Sequence, residues 1–524
     1  MCARRRQRAG AASGATLSED ARGRGPATGG DPPRTESIRR SAGLALAAQA
    51  TTAAFTAALT IYLLRALGPA GYGIFALALG FGGLVLLPSD FGISQSAARF
   101  IAERRGDPEA VAAVLFDAVR LKLLIAGPLA LALAGLAGPI ADLYDQEALT
   151  WPLRAVSIAV FGQSMMQLFS GASYAVGRAS VNLRIVVGES AMEATASFAL
   201  VLLFGGATAA AGGRAVGYVG GALLGGVLLF RLLGRRSLAE RRGGPGIRRL
   251  GGYAGALLII DGAFALFSQL GVLLVGGLLG VTAAGLYAAP LRLAPFLHYP
   301  GYSIAAAVAP RLARNPDEPP NVEALAGSLR YLVILQAAIV APIIVWAEPI
   351  TTLVLGPGFE QSADVLRALT PFIFMNGFGP LITLSVNYAG EAGRRVPIAI
   401  GCVLLHLGLA LVLIEEIGVV GAALSVNVGY AVYAGAHLWL CRRVFGLSVK
   451  PLLVTLVRSA GACAAFCGVL LAVGATELSA ADWLLGLASG AVAFAVVLLG
   501  TREVSASELS TLSRVVRRRR QVDD

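Results

Sequence analysis

Fourteen apolar stretches, each near the length of a membrane-crossing helix, divide this 524-residue chain, and arginine falls on every second loop between them. The stretches lie near 42–64, 72–90, 114–138, 153–175, 182–204, 213–233, 253–279, 284–307, 326–347, 364–388, 397–414, 419–440, 452–473 and 481–500. About 20 apolar residues suffice to cross the hydrocarbon core as a helix. The arginine-rich loops carry Arg39/Arg40, Arg99/Arg104/Arg105, Arg178/Arg184, the run Arg231 to Arg249, Arg311/Arg314, Arg394/Arg395, Arg442/Arg443 and Arg517 to Arg520. The loops between them lean acidic, with Asp142/Asp145/Glu147, Glu348/Glu360, Glu415/Glu416 and Glu477/Asp482. Basic residues stay on the cytoplasmic side of an inserted helix, so the alternation predicts an even number of spans with both termini inside. Arg65, Arg154, Arg214 and Arg367 fall near the outer side and break the pattern. Lipid cannot satisfy the unpaired backbone of open strands. The expected class is an all-α polytopic protein of the cytoplasmic membrane with about 14 transmembrane helices.

With 56% hydrophobic and only 14% charged residues, the chain could not cover itself with a polar shell. A net charge of +12 would ordinarily point to nucleic acid. Here the arginines sit beside apolar runs and form no aromatic-interleaved patch, so topology and anionic lipid headgroups account for them and no nucleic-acid partner is expected. Cys402, Cys441, Cys463 and Cys467 lie in or beside apolar segments without metal-ligand spacing, and no metal or other cofactor is expected. The first apolar run, from about Ser41, is long enough to span and has no cleavage site after it, which argues against a signal peptide.

Residues 1–40 read as a disordered basic tail, 41–233 as one lobe of six spans, 234–250 as a basic cytoplasmic linker, 251–445 as a second lobe, 446–500 as two extra spans and 501–524 as a basic tail. Pro290, Pro295, Pro300 and Pro310 punctuate the eighth span, and Pro371 and Pro380 the tenth, so both are expected to bend or break. A weak repeat pairs LLRALGPAGYGIF (63–75) with VGGLLGVTAAGLY (275–287). It matches the first span with the seventh in the same orientation, which puts the pseudo-twofold axis along the membrane normal.

The same segments carry a resemblance. LGPAGYGIFALA (67–78), SDFGISQSAARFIAERRG (89–106), GVTAAGLYAAPLRLA (280–294), AVAPRLAR (307–314), LGPGFEQSADVLRAL (355–369) and IGVVGAALSVNVGYAV (417–432) occur in that order. Together they resemble the bacterial polysaccharide-biosynthesis membrane proteins, the O-antigen and exopolysaccharide flippases, over nearly the whole chain. The resemblance implies two six-helix lobes in a V around a central cavity, with two further C-terminal helices. It implies a monomer that flips a polyprenyl-diphosphate oligosaccharide without covalent chemistry, and association with a glycosyltransferase–polymerase assembly. Lipid II flippases and multidrug exporters share the superfamily and are the alternatives. A membrane polymerase or ligase fits less well, because the longest outer loop, about 348–363, is short.

Ionisable residues inside spans are costly, so each is a candidate site. Arg292 lies about nine residues into the eighth span, roughly 14 Å deep by helical rise, and its guanidinium can hold diphosphate oxygens bidentately. Arg120, Lys122 and Arg65 are candidates for a cationic lining, and Gln163 and Asn376 for hydrogen bonds to sugar. Glu189 and Glu193, one turn apart on the fifth span, repel unless a proton or cation sits between them; they, Asp261 and His298 are the candidates for coupling to H+ or Na+. Asp261 is also a candidate partner for Arg292. Asp90 is expected to cap the helix beginning SQSAARFIAERR.

Overall fold

The computed structural model describes residues 36–239, 246, 255–312, 320–505 and 508. The tail at 1–35, most of the linker expected at 234–250 and the tail beyond 508 lie outside the described residues. Among those described, every element is a helix.

The first element, α1 (Ile38–Asp90), carries the first two spans and is capped by the Ser37 hydroxyl, which accepts from the Arg40 N–H. Gly68 separates them with φ 64° and ψ −179°, a backbone conformation essentially confined to glycine. The amphipathic α2 (Ile93–Glu103) follows, burying Ile93, Ala97, Phe100 and Ile101. Asp107 caps α3 (Pro108–Gly135) by accepting from the Glu109 and Ala110 N–H groups, and α4 (Ala137–Leu143) leaves it at 47°. The first bundle is completed by α5 (Thr150–Ala175), α6 (Ala179–Phe204) and α7 (Gly206–Ala239).

The second bundle opens with α8 (Gly255–Leu279) and a broken eighth span, α9 (Val281–Leu291) and α10 (Ala294–Val308). Next come α11 (Val322–Val345) and the short α12 (Ala347–Val354). The tenth span is in three pieces, α13 (Ser362–Ala368), α14 (Thr370–Asn376) and α15 (Gly379–Tyr388), and bends by 47° after the first. The last four helices are α16 (Arg395–Ile417), α17 (Val419–Phe445), α18 (Lys450–Val473) and α19 (Ala480–Gly500). The breaks fall where the prolines predict. Pro290 closes α9, while Pro295, Pro371 and Pro380 occupy the first turns of α10, α14 and α15, where the missing N–H costs no intrahelical bond.

Nine helices of the described residues are long and apolar enough to cross a bilayer, and two bent pairs pass together. The first of the nine, Gly43–Glu103, contains both opening spans. The fourth and eighth expected spans are the remaining two. One is α5, whose cavity side carries Gln163, Gln167 and Ser170, and the other is the broken α9–α10.

The two repeat copies meet each other. Gly280 separates α8 from α9 with φ 86° and ψ 176°, the conformation of its counterpart Gly68. A Cβ on Gly73 would lie 1.8 Å from the Val281 carbonyl oxygen, and one on Gly285 would lie 1.9 Å from the Pro69 carbonyl oxygen. Gly73 corresponds to Gly285 and Pro69 to Val281, so the contact is reciprocal, as a twofold interface requires. Below it, the second half of α1 runs along α8, with Gly276 against Leu77, Gly80 against Leu273 and Gly262 against Leu87. At the same end Arg65 donates to the Leu353 carbonyl in α12.

The last two spans pack on α11 through Phe466, Leu470 and Phe494 against Ala337, Ala341 and Trp346. The chain after α19 is anchored too: Glu503, 4% exposed, accepts from Arg330 at 2.9 Å, Arg458 at 3.0 Å and Thr455 at 2.6 Å.

Candidate functional site

Helical spacing puts polar side chains from four helices into one cavity of about 430 Å³. The first half of α1 supplies Thr52, Thr56 and Thr60 at four-residue steps, and α5 supplies Gln163, Gln167 and Ser170. Residues three and four apart share a face of a helix. On the same rule α6 presents Glu189 and Glu193, and α7 presents Arg214 and Tyr218. Glycine brings the last pair of helices together: a Cβ on Gly217 would lie 2.4 Å from the Glu193 Cβ, and one on Gly221 2.7 Å from the Glu189 Cβ. This backbone approach sets Arg214 Nη1 donating to Glu193 Oε1 at 2.8 Å and Nη2 donating to the Tyr218 hydroxyl at 3.0 Å. The Arg214 guanidinium also sits 4.9 Å from the Tyr218 ring centroid. Glu189 is 5% exposed, accepts from the Ser190 hydroxyl at 3.1 Å and lies one turn from Glu193 on the face of α6 that lines the cavity.

Arg292 caps the C-terminal end of α9, at the break in the eighth span. It lines the first cavity and also a second of about 260 Å³ on the side of the second bundle, with Gln269, Tyr287 and Asn376. No carboxylate among the described residues forms a salt bridge with it. Asn376 in this second cavity accepts from the Tyr430 hydroxyl at 2.9 Å. The helix α14 is the wall beyond: Phe372 and Asn376 face the second cavity, while Phe374, Met375 and Phe378 face an apolar groove of about 640 Å³ between α11, α17 and α18.

A family model described as "Polysaccharide biosynthesis protein" matches residues 38–315. The chain belongs to the polysaccharide biosynthesis protein family. No curated protein matches it. Among solved structures, the family member is similar to the lipid II flippase MurJ in its inward closed conformation, with a TM-score of 0.67 at 12% identity over 88% of this chain and 99% of that one. It is similar to an inward-facing multidrug resistance MATE family transporter of the MOP superfamily, with a TM-score of 0.63 at 19% identity over 76% of this chain and 95% of that one. At such identities the likeness establishes the fold, that of the MOP-superfamily transporters.

The structure of this polysaccharide-biosynthesis family member gathers Arg292, Gln163, Glu189 and Glu193 around one cavity and Arg292 with Asn376 around the next. Other expected positions are corrected. Arg120 is exposed on α3, and Arg65, also exposed, donates to the Leu353 carbonyl; neither lines the two cavities. Lys122 is fully buried, its Nζ donating to Asp90 Oδ1 and, at 2.8 Å, to both oxygens of Ser164. Asp90 therefore serves this pair and the Ser94 hydroxyl, while Gly92 caps α2 without a side-chain bond. Asp261 does not pair with Arg292; it is exposed on α8, within electrostatic reach of Arg395. Buried Arg395 donates to Asn387 at 2.6 Å, Tyr433 at 3.0 Å and His437 Nε2 at 3.0 Å. The His298 side chain lies outside the described residues.

Sequence reasoning left Arg214 and Tyr218 out of the site: their four-residue spacing puts both on one face of α7, but only the packing of α6 on α7 turns that face to Glu189 and Glu193. Lys122 has a structural consequence. Lys122→Met leaves Asp90 without its counter-ion, and breaking a buried pair in this way costs about 3–5 kcal/mol. Thermal unfolding in detergent is expected to show a markedly less stable single variant and recovery in Lys122→Met/Asp90→Asn. A single variant as stable as the wild type would mean that the pair does not hold the α1–α2 turn.

Proposed function

We propose that the chain flips a lipid-linked glycan, a polyprenyl diphosphate bearing an oligosaccharide, across the cytoplasmic membrane by alternating access. The observation that carries this reading is Arg292, a guanidinium at the seam that lines both cavities with no salt-bridge partner among the described residues. An uncompensated cation in a span is costly and suits an anionic head group. The threonine and glutamine lining offers hydrogen bonds to sugar, and the apolar groove behind α14 suits an isoprenoid tail. Arginine alternation puts the Gly68 and Gly280 turns outside, so the end joined by Gly73 and Gly285 is the closed outer one and the termini are cytoplasmic. Coupling to H+ fits Glu189 and Glu193, because two carboxyl groups one turn apart on the cavity wall repel unless one carries a proton. A glycosyltransferase–polymerase assembly is the partner this substrate calls for.

A cationic drug is the second reading, favoured by Glu189 and Glu193; the Arg214 bridge and Arg292 weigh against it. Deleting the gene and analysing membrane glycolipids separates the readings. One lipid-linked glycan is expected to accumulate on the cytoplasmic face. Lipid II accumulation would move the reading to lipid II, and drug hypersensitivity with normal glycolipids would replace it with drug export.

A further inference from the structure

Arg214 has more hydrogen-bonding capacity than its partners use. A guanidinium carries five N–H groups; Arg214 gives one to Glu193 and one to Tyr218, and three have no partner among the described residues. It faces the cavity that Arg292 also lines. Glu193 and Tyr218 hold one edge of the fork and thereby orient the other. Arg214, so oriented, and Arg292 on the same cavity are two guanidiniums for the two phosphates of a diphosphate diester, which bind arginine bidentately.

The same residue is the counter-charge of the carboxyl pair. The titratable and charged groups that face the pair in the cavity are Arg214 and Tyr218 from α7, Tyr72 from α1 and Arg292 from the α9–α10 break, while α5 contributes only the neutral Gln163, Gln167 and Ser170. A ligand anion on Arg214 draws on the positive charge that offsets Glu193, which favours the protonated pair. Conversely, a proton on the pair leaves more of the Arg214 charge for the ligand. Such coupling is reciprocal by thermodynamic necessity.

Resting on the reading of a diphosphate head group in this cavity, we propose that Arg214 is a second head-group contact and the residue through which head-group binding and proton uptake are linked. The test is calorimetric titration of the full-length protein in nanodiscs with farnesyl-diphospho-N-acetylglucosamine, a diphosphate diester that does not itself titrate near neutral pH. Repeating it in buffers of different ionisation enthalpy counts the protons. The wild type is expected to take up protons on binding and to bind about tenfold more tightly as pH falls across the titration of the pair, within the usual range of such couplings. Glu189→Gln/Glu193→Gln is expected to bind with no pH dependence. Arg214→Gln/Glu193→Gln, which removes both charges of the bridge and so leaves neither buried alone, is expected to bind about tenfold more weakly and without proton uptake. Arg214→Lys keeps the charge but lacks the fork, and is expected to lose affinity while retaining part of the pH dependence.

Wild-type affinity and proton uptake in Arg214→Gln/Glu193→Gln would overturn the link. So would an unchanged pH dependence in the double carboxamide variant. If the wild type ignores the probe, the diphosphate reading of the cavity falls as well. If binding depends on Arg292 but not on Arg214, that reading stands and only the link is lost.

Discussion

A single methyl group at Gly285 is expected to stop the transport cycle. The added Cβ would sit 1.9 Å from the Pro69 carbonyl oxygen, about half the ordinary van der Waals separation of roughly 3.5–4 Å. The obstructing atom is backbone, so no side-chain rotation relieves it and the two bundles must part at the turns. Overpacking costs about 1–3 kcal/mol even where side chains can yield. At the upper end of that range the closed seam loses about 100-fold in population. Gly73→Ala is expected to act alike, because its Cβ would meet the Val281 carbonyl oxygen at 1.8 Å. Gly127→Ala is the control, with nothing within 4 Å of its Cβ. In a cysteine-free background carrying Thr60→Cys, a residue of the cavity lining, an impermeant maleimide added outside is expected to label Gly285→Ala far faster than the parent, with glycan flipping lost. Unchanged labelling and normal flipping would remove this glycine contact from the gate.

Much of the architecture was legible because it rests on length and backbone chemistry. Twenty-residue apolar runs give spans, and prolines at 290, 295, 371 and 380 give breaks. The Leu-Gly, turn and Gly-aromatic pattern marked the two segments that meet at the seam. What stayed hidden was the rotation of each helix about its own axis. In water an amphipathic stripe reveals it, but in lipid the outward face is as apolar as the packed one. Arg120 and Lys122 show the consequence. Two residues apart, they lie about 200° around the helix, so one is exposed and the other fully buried. The four arginines that broke the alternation were equally indistinguishable in sequence. Arg154 stacks on Trp151 at 4.7 Å, Arg367 pairs with Asp364 at 2.8 Å and Arg65 bonds to Leu353. Only Arg214 enters the cavity, and only the packing of α6 on α7 through Gly217 and Gly221 determines that.

Removing the Arg292 charge is expected to abolish flipping while leaving the fold as stable as before, or more so. A structural arginine in a span is paired, and its loss strands a partner. Arg292 has no salt-bridge partner among the described residues, so Arg292→Gln strands no carboxylate among them and removes a charge that is costly within the membrane. Hydrogen bonds to charged groups contribute about 1.5–3 kcal/mol each, so losing a bidentate pair to phosphate is expected to lower the flipping rate of reconstituted vesicles at least 100-fold, the equivalent of about 3 kcal/mol. Arg292→Lys keeps the charge but not the planar fork, and about tenfold is the expected loss. A drug exporter would respond in the opposite sense, because a cationic ligand gains when this charge is removed. Thermal unfolding of the same preparations decides between the two roles. If Arg292→Gln loses flipping and also unfolds several degrees earlier than the wild type, the residue holds the broken eighth span together and the head group must be bound elsewhere. If flipping falls while the melting temperature holds or rises, the guanidinium is retained for the ligand, because a site that must bind an anion cannot also satisfy itself.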